Sequence, residues 1–131
     1  MDLLKKYIDE VGKDLVLDDF NIKEVSLRLP ARKHYWVAQL IKTKISRNQA
    51  FIKKRELKKN ITREVIATSP VKLTHSAAEQ AAERHDTLAA LNNKIREFDI
   101  IIEYLEKVEK VLSQMGFDVK NAIDIMKLEQ M

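Results

Sequence analysis

Cysteine is absent from this chain of 131 residues, glycine and proline occur twice each, and aromatic residues make up only 6%. Without a thiol there is no disulfide framework, no Cys-ligated zinc, no iron–sulfur cluster and no thiol catalysis. Two widely separated glycines cannot build a P-loop or a dinucleotide fingerprint, since both need several glycines within one short turn. Four chain breakers cannot supply the turns that an all-β protein needs roughly every 8 to 12 residues. No apolar run approaches the roughly 18 residues of a membrane span. The opening Met1-Asp2-Leu3-Leu4-Lys5-Lys6 lacks the apolar stretch of a secretory signal, so a soluble cytoplasmic protein is expected.

What the chain does have is 45% hydrophobic and 34% charged residues. That is the composition of an ordered, aliphatic, all-α protein, and the length suits one helical domain over residues 1–131. The net charge of +4 conceals a segregation. Residues 1–30 carry five basic and seven acidic side chains, residues 31–63 eleven basic and one acidic, and residues 64–131 eight and twelve. A solvated helix face normally mixes both signs at i,i+4 spacing, which residues 31–63 do not. A cationic segment attached to a neutral or acidic scaffold points to a polyanionic partner, nucleic acid first.

Apolar spacing divides the chain as follows. Leu3, Leu4, Tyr7, Ile8 and Val11 predict a short amphipathic helix ending near Gly12. Leu15 to Leu29 reads as a connector, with Asp18-Asp19 and Asn21 as turn formers, and residues 1–29 form a short helix plus connector. Pro30 is tolerated in a first helical turn, so a long basic helix is expected over residues 30–66. Its apolar stripe is Trp36, Val37, Leu40, Ile41, Ile45 and Ile52. Beside it Lys44, Arg47, Phe51, Lys54 and Lys58 follow at spacings of 3, 4, 3 and 4, a cationic stripe with an aromatic in the middle. Ser69-Pro70 marks a loop over residues 67–74.

Residues 75–131 read as oligomerisation helices. Leu88, Leu91, Ile95, Phe98, Ile102 and Leu105 keep a 3-4-3-4-3 spacing, Val108, Leu112 and Met115 resume it after one skipped step, and Asp86-Thr87 can cap a restart. Gly116 is expected as a C-terminal cap, followed by a short last helix from Phe117. Two helices of this length reach about 50 to 60 Å each. One monomer is not expected to bury both seams, so the architecture predicted is a long helical hairpin with a coiled-coil-like seam and short terminal helices, assembling as a homo-oligomer through Leu88, Leu91, Ile95, Phe98, Ile102, Leu105, Leu112 and Phe117.

Candidate chemistry is sparse. His75, Glu79 and Glu83 share a helix face, but no HExxH or ExxH spacing accompanies them, and no Ser-His-Asp set stands out. No enzyme, metal or cofactor is expected. Tyr35-Trp36 could stack on bases, although Trp36 lies on the apolar stripe and suits a core better. The candidate DNA-binding residues are Lys44, Arg47, Phe51, Lys53, Lys54, Arg55, Lys58, Lys59 and Arg63. The competing reading is a coiled-coil structural or scaffold protein whose basic helix pairs with acidic residues of a neighbouring subunit.

Several stretches together resemble one family: Phe20-Asn21-Ile22 through Ser26-Leu27-Arg28-Leu29-Pro30 and His34-Tyr35-Trp36, then His85-Asp86-Thr87-Leu88, then Met115-Gly116-Phe117-Asp118-Val119-Lys120-Asn121-Ala122-Ile123. These are similar to the UvsY-type recombination mediator proteins of T-even-like bacteriophages. The resemblance implies a non-enzymatic protein that forms a ring-like homo-oligomer of six or seven copies and binds single-stranded DNA. It implies partnership with a RecA-like phage recombinase, loaded onto DNA covered by single-strand-binding protein. It also implies a Lys-x-Arg-Leu DNA-contact run, matched here by Lys58-Lys59-Asn60-Ile61. Lys58 takes the lysine position and Asn60 replaces the arginine, with Lys59 and Arg63 as the neighbouring cations.

Overall fold

The computed structural model describes residues 1–131, and its four elements are all helices: α1 (Asp2–Asp14), α2 (Ile22–Thr68), α3 (His75–Glu83) and α4 (Asp86–Glu129). The chain packs into two compact units. The first comprises Met1–Lys42 and Ile101–Met131, the second Thr43–Ile100, so α2 and α4 each contribute to both.

In the first unit α1 lies on the early part of α2 and the late part of α4. Tyr7 and Val11 enter a core with Ile22, Val25, Leu29, Trp36 and Leu40 of α2 and Ile101, Leu105, Val108, Leu112, Met115 and Val119 of α4. The α4 residues recur at 4-3-4-3-4, the signature of a helix facing neighbours along one stripe. Trp36, only 1% exposed, is met edge-on by Tyr7 at 5.4 Å and Tyr35 at 4.9 Å between ring centroids.

Three local expectations are corrected here. Helix α1 does not stop at Gly12 but runs on to Asp14, because Val11 and Asp14 are both buried and an interior glycine costs only about 1 kcal/mol. Helix α2 starts at Ile22, eight residues before the expected start at Pro30. The turn before it is the one the sequence marks: Asp18 Oδ1 accepts the Phe20 and Asn21 N–H groups at 2.8 and 2.9 Å, and the Asn21 carbonyl accepts the Val25 N–H at 2.9 Å. Ile22, Val25 and Leu29 are then buried at helical spacing while Leu27 is 75% exposed, the opposite of a strand-like alternation. Pro30 sits inside the helix and has no N–H for the Ser26 carbonyl; burial of the flanking apolar residues outweighs that loss. Gly116, finally, is not a cap. Helix α4 passes through it without a positive φ, and a Cβ there would meet Lys33 Nζ at 3.4 Å.

A polar clamp ties α1 to α2. The carboxylate of Asp14, 9% exposed, accepts from Arg32 Nε at 3.0 Å and from Trp36 Nε1 at 2.8 Å, and lies 2.9 Å from the other arm of the Arg32 guanidinium. The same guanidinium stacks 4.4 Å over the Tyr35 ring, whose hydroxyl donates to Glu10 at 3.2 Å. Burial, then that Glu10 hydrogen bond, push the Tyr35 phenol above its ordinary range. Tyr35 and Trp36 are therefore core and clamp residues, not a base-stacking platform.

The second unit is smaller in its apolar content. Ile61 of α2, Ala82 of α3 and Leu88 of α4 form its central cluster, with Leu57 and Val65 against them. Ala78 and Ala82 are fully buried, and their small side chains allow α3 to lie close to its neighbours. Thr74 Oγ1 accepts the Ala77 N–H at 3.1 Å and caps α3. The restart expected at Asp86-Thr87 is present, but the capping side chain is His85, whose Nδ1 accepts the Thr87 N–H at 3.3 Å.

The seam assigned to oligomerisation is corrected as well. Leu88, Ile95, Leu105 and Leu112 are buried within the subunit, Leu91, Phe98 and Ile102 are half-buried, and only Phe117, at 65%, is exposed. The subunit covers its own α4 stripe because the buried phase shifts: Ile101 replaces Ile102 as the inward residue, and the 3-4 alternation restarts there. Apolar exposure lies off that stripe: on α2, where Val37, Ile41, Ile45 and Ile52 are each roughly half exposed, and on α4 at Val111, Ile125 and Leu128.

Two stability outcomes are expected. Asp14→Ala leaves Arg32 and Trp36 Nε1 without their acceptor and should cost about 2 to 3 kcal/mol in urea unfolding, below the range for fully buried pairs because Arg32 reaches solvent. Pro30→Ala restores a helical N–H at an exposed position and should raise stability by about 1 kcal/mol or more.

Candidate nucleic-acid interface

All nine candidate DNA-binding residues lie on α2 within Thr43–Ile100. One side of this stretch is buried through Thr43, Ala50, Ile61 and Thr62, and the remaining positions fan around the helix. At about 100° per residue, Lys44, Arg47, Phe51, Lys54 and Lys58 do form a stripe, whereas Arg55, Lys59 and Arg63 form a second row beside it and Lys53 points elsewhere.

The expected stripe is turned toward acidic neighbours. Arg47 Nε donates to Asp99 Oδ1 of α4 at 2.8 Å, and Lys58 Nζ lies 2.8 Å from Glu83 Oε1 of α3. Arg47 also lies 5.6 Å from the Phe51 ring centroid, so the aromatic is partly covered by a cation. The hydrogen bond to Glu83 holds the Lys58 ammonium above its ordinary pKa. The same bond, reinforced by the positive charge of Lys58 and Lys54, holds the Glu83 carboxyl below its own. Pairing of basic α2 residues with acidic ones, which the scaffold reading placed between subunits, thus occurs inside one subunit at these two positions.

The outward row has a different setting. Arg55, Lys59 and Arg63 are exposed, and with Lys58, Thr62 and Ile66 they line a groove of about 520 Å³ closed on the other side by His75 and Glu79 of α3. Four of its eight lining residues are permanently cationic and only Glu79 is acidic. Glu79 is itself occupied by His75, whose Nε2 lies 2.8 Å from its Oε1. His75, Glu79 and Glu83 do not converge on one point, since Glu83 turns to Lys58. A cationic groove of this kind can take successive phosphates of a flexible strand along the Arg55–Lys59–Arg63 row. Spacing does not mark His75 as a DNA candidate. It reaches the groove only because the Ser69-Pro70 loop folds α3 back along α2, and no pattern along one helix could register that.

The profile of the family described as recombination, repair and ssDNA binding protein UvsY matches residues 10–130. This chain belongs to the UvsY family. Three crystal structures of the bacteriophage T4 recombination mediator protein UvsY share the fold. The lattice type IV form has a TM-score of 0.81 at 12% identity, covering 96% of this chain and 98% of that one. The type II form has 0.79 at 13% over 98% of each chain, and the type I form 0.76 at 13% over 92% and 96%. No curated protein sequence matches significantly. Identity this low means that the fold persists while the side chains differ. At the contact run, Asn60 is exposed where the resemblance puts an arginine, and Lys59 and Arg63 both line the groove beside Lys58. No helix is long and apolar enough to cross a membrane.

The Lys58–Glu83 pair generates a pH test. Glu83 has a lowered pKa in the folded protein, so its contribution to stability is present at neutral pH and is lost as pH falls through that lowered value. Lys58 has a raised one, so its contribution is lost as pH rises through the raised value. Glu83→Gln should therefore lower the melting temperature slightly at about pH 7, and the gap to the unaltered protein should close as the pH of the melts falls through the lowered Glu83 value.

Proposed function

We propose that this protein is a recombination mediator that binds single-stranded DNA along the Arg55–Lys59–Arg63 row and helps load a RecA-like phage recombinase onto DNA covered by single-strand-binding protein. The observation that carries the reading is the groove of α2 and α3, cationic and acid-poor in a chain whose other segments are acidic. Membership of a family described by recombination, repair and ssDNA binding supports it. Lys44, Lys53 and Lys54 extend the cationic surface, and Phe51 offers a ring edge for a base. Arg47 and Lys58 join by exchanging their carboxylate partners for phosphate. The role is non-catalytic, set in the cytoplasm of the phage's host cell.

The protein acts as a homo-oligomer, six or seven copies by the resemblance. One subunit neutralises only a few phosphates, and copies arranged around a common axis multiply that weak binding through effective concentration. The exposed apolar residues of α2 and Phe117 of α4 support association of copies, since a monomer gains nothing from leaving them in water. A mediator needs no base-edge readout, and the groove offers none.

The test is a salt titration of single-stranded DNA binding. The log of affinity should fall linearly with log salt. In the Arg55→Ala, Lys59→Ala, Arg63→Ala triple variant the slope should be shallower by about 2, at about 0.7 for each phosphate that a subunit no longer neutralises. Binding should weaken equally for all sequences, and sedimentation should show an unchanged number of copies. An unaltered slope would sink the assignment, and loss of the oligomer would favour the scaffold reading.

A further inference from the structure

Phe20 is 99% exposed, yet it is not on a loose segment. Asp18 Oδ1 accepts the Phe20 and Asn21 N–H groups at 2.8 and 2.9 Å, Asn21 Oδ1 accepts the Asp18 N–H at 2.8 Å, and Asn21 Nδ2 donates to the Val16 carbonyl at 3.0 Å. The turn therefore holds a phenyl ring out into water between Asp19 and the start of α2. A ring presented this way has apolar surface to bury and its backbone already ordered, which lowers the entropic cost of docking.

The same unit carries an apolar groove of about 290 Å³ between the start of α2 and the end of α4. Ile22, Leu27, Ile123 and Met126 give it apolar walls, and Lys23 and Lys127 stand on its rim. Phe20 does not enter this groove in its own chain although Ile22, two residues on, lines it. An aromatic knob beside acids and an apolar groove rimmed by lysines are complementary in both shape and charge.

We propose that Phe20 of one copy seats in the Leu27–Ile123–Met126 groove of a neighbouring copy, with Asp19 facing Lys23 and Lys127. The contact rests on the homo-oligomeric reading above and gives it an interface. Knob and groove are different surfaces, so each copy offers one of each, and the contact is head-to-tail, the kind that links copy to copy in series. It also puts the end of α4 in an interface without calling on Leu88, Leu105 or Leu112, which the subunit buries for itself.

The absence of cysteine allows a direct test, because introduced thiols can pair only with one another. Phe20→Cys and Met126→Cys variants, mixed and mildly oxidised, should give covalent dimers that neither variant forms alone, and the double variant should give a ladder of linked subunits. Phe20→Ser, at a position with no packing role inside the subunit, should leave the helical content and melting temperature unchanged while sedimentation without DNA shows fewer copies. Failure of the mixed variants to cross-link above the level of either one, or an unchanged mass for Phe20→Ser, overturns the proposal. So does a monomeric unaltered protein, the result expected if a different protein fills the groove. None of these readouts uses DNA, so a chain that assembles through Phe20 but does not bind single-stranded DNA defeats the functional reading and leaves the contact standing.

Discussion

Mutual repulsion among the cations of residues 31–63 is the constraint to which the rest of the structure answers. Eleven basic side chains and one acidic one on a single helical stretch raise the free energy of any state in which they are left to face each other. The second unit relieves part of this by laying acidic side chains against the helix, Asp99 on Arg47 and Glu83 on Lys58. Beside α3 it leaves Arg55, Lys59 and Arg63 exposed in a groove with one acid. Neutralisation is thus divided between internal carboxylates and whatever polyanion enters from outside. The first unit is built on other terms: it holds its part of α2 by apolar packing around Trp36 and by the Asp14–Arg32 clamp.

Much of this is legible along the chain. The absence of breakers and the aliphatic spacing lead to an all-α reading, and the Ser69-Pro70 and Asp86-Thr87 breaks stand where the helices part. The position of the cations is legible because charge segregation needs no knowledge of packing. What misleads are local signals that yield to burial. Pro30 and Gly116 read as helix boundaries, but Leu29 and Met115 beside them are core residues, and the energy of burying a whole stripe exceeds the cost of one missing hydrogen bond or one flexible residue. The α4 stripe reads as a surface for another copy because counting residues along two rods ignores α1 and α3, which supply cover of their own.

The site is only half legible for a related reason. Spacing correctly groups Lys44, Arg47, Phe51, Lys54 and Lys58, but a group on one helix has no sign of what faces it. Two of those five hold carboxylates of α3 and α4, while the row one step around the helix lines the groove. The participation of His75 depends on a long-range contact that periodicity does not encode. Family membership helps here through the fold rather than through residues, since 12–13% identity to the T4 protein leaves individual contacts to be read from this chain.

The pairing of Lys58 with Glu83 and of Arg47 with Asp99 has a consequence for how binding strength is counted. Salt dependence records small ions liberated when a phosphate meets a cation. A lysine already neutralised by a carboxylate of its own subunit gives its charge to the strand by a swap. The liberated carboxylate then gathers sodium from solution, which offsets the ions shed by the DNA. On the proposed reading, any phosphate that these two residues took up would be nearly silent in a salt titration. The thermodynamic count of phosphates bound per subunit would then fall short of the geometric one by the number of such swaps.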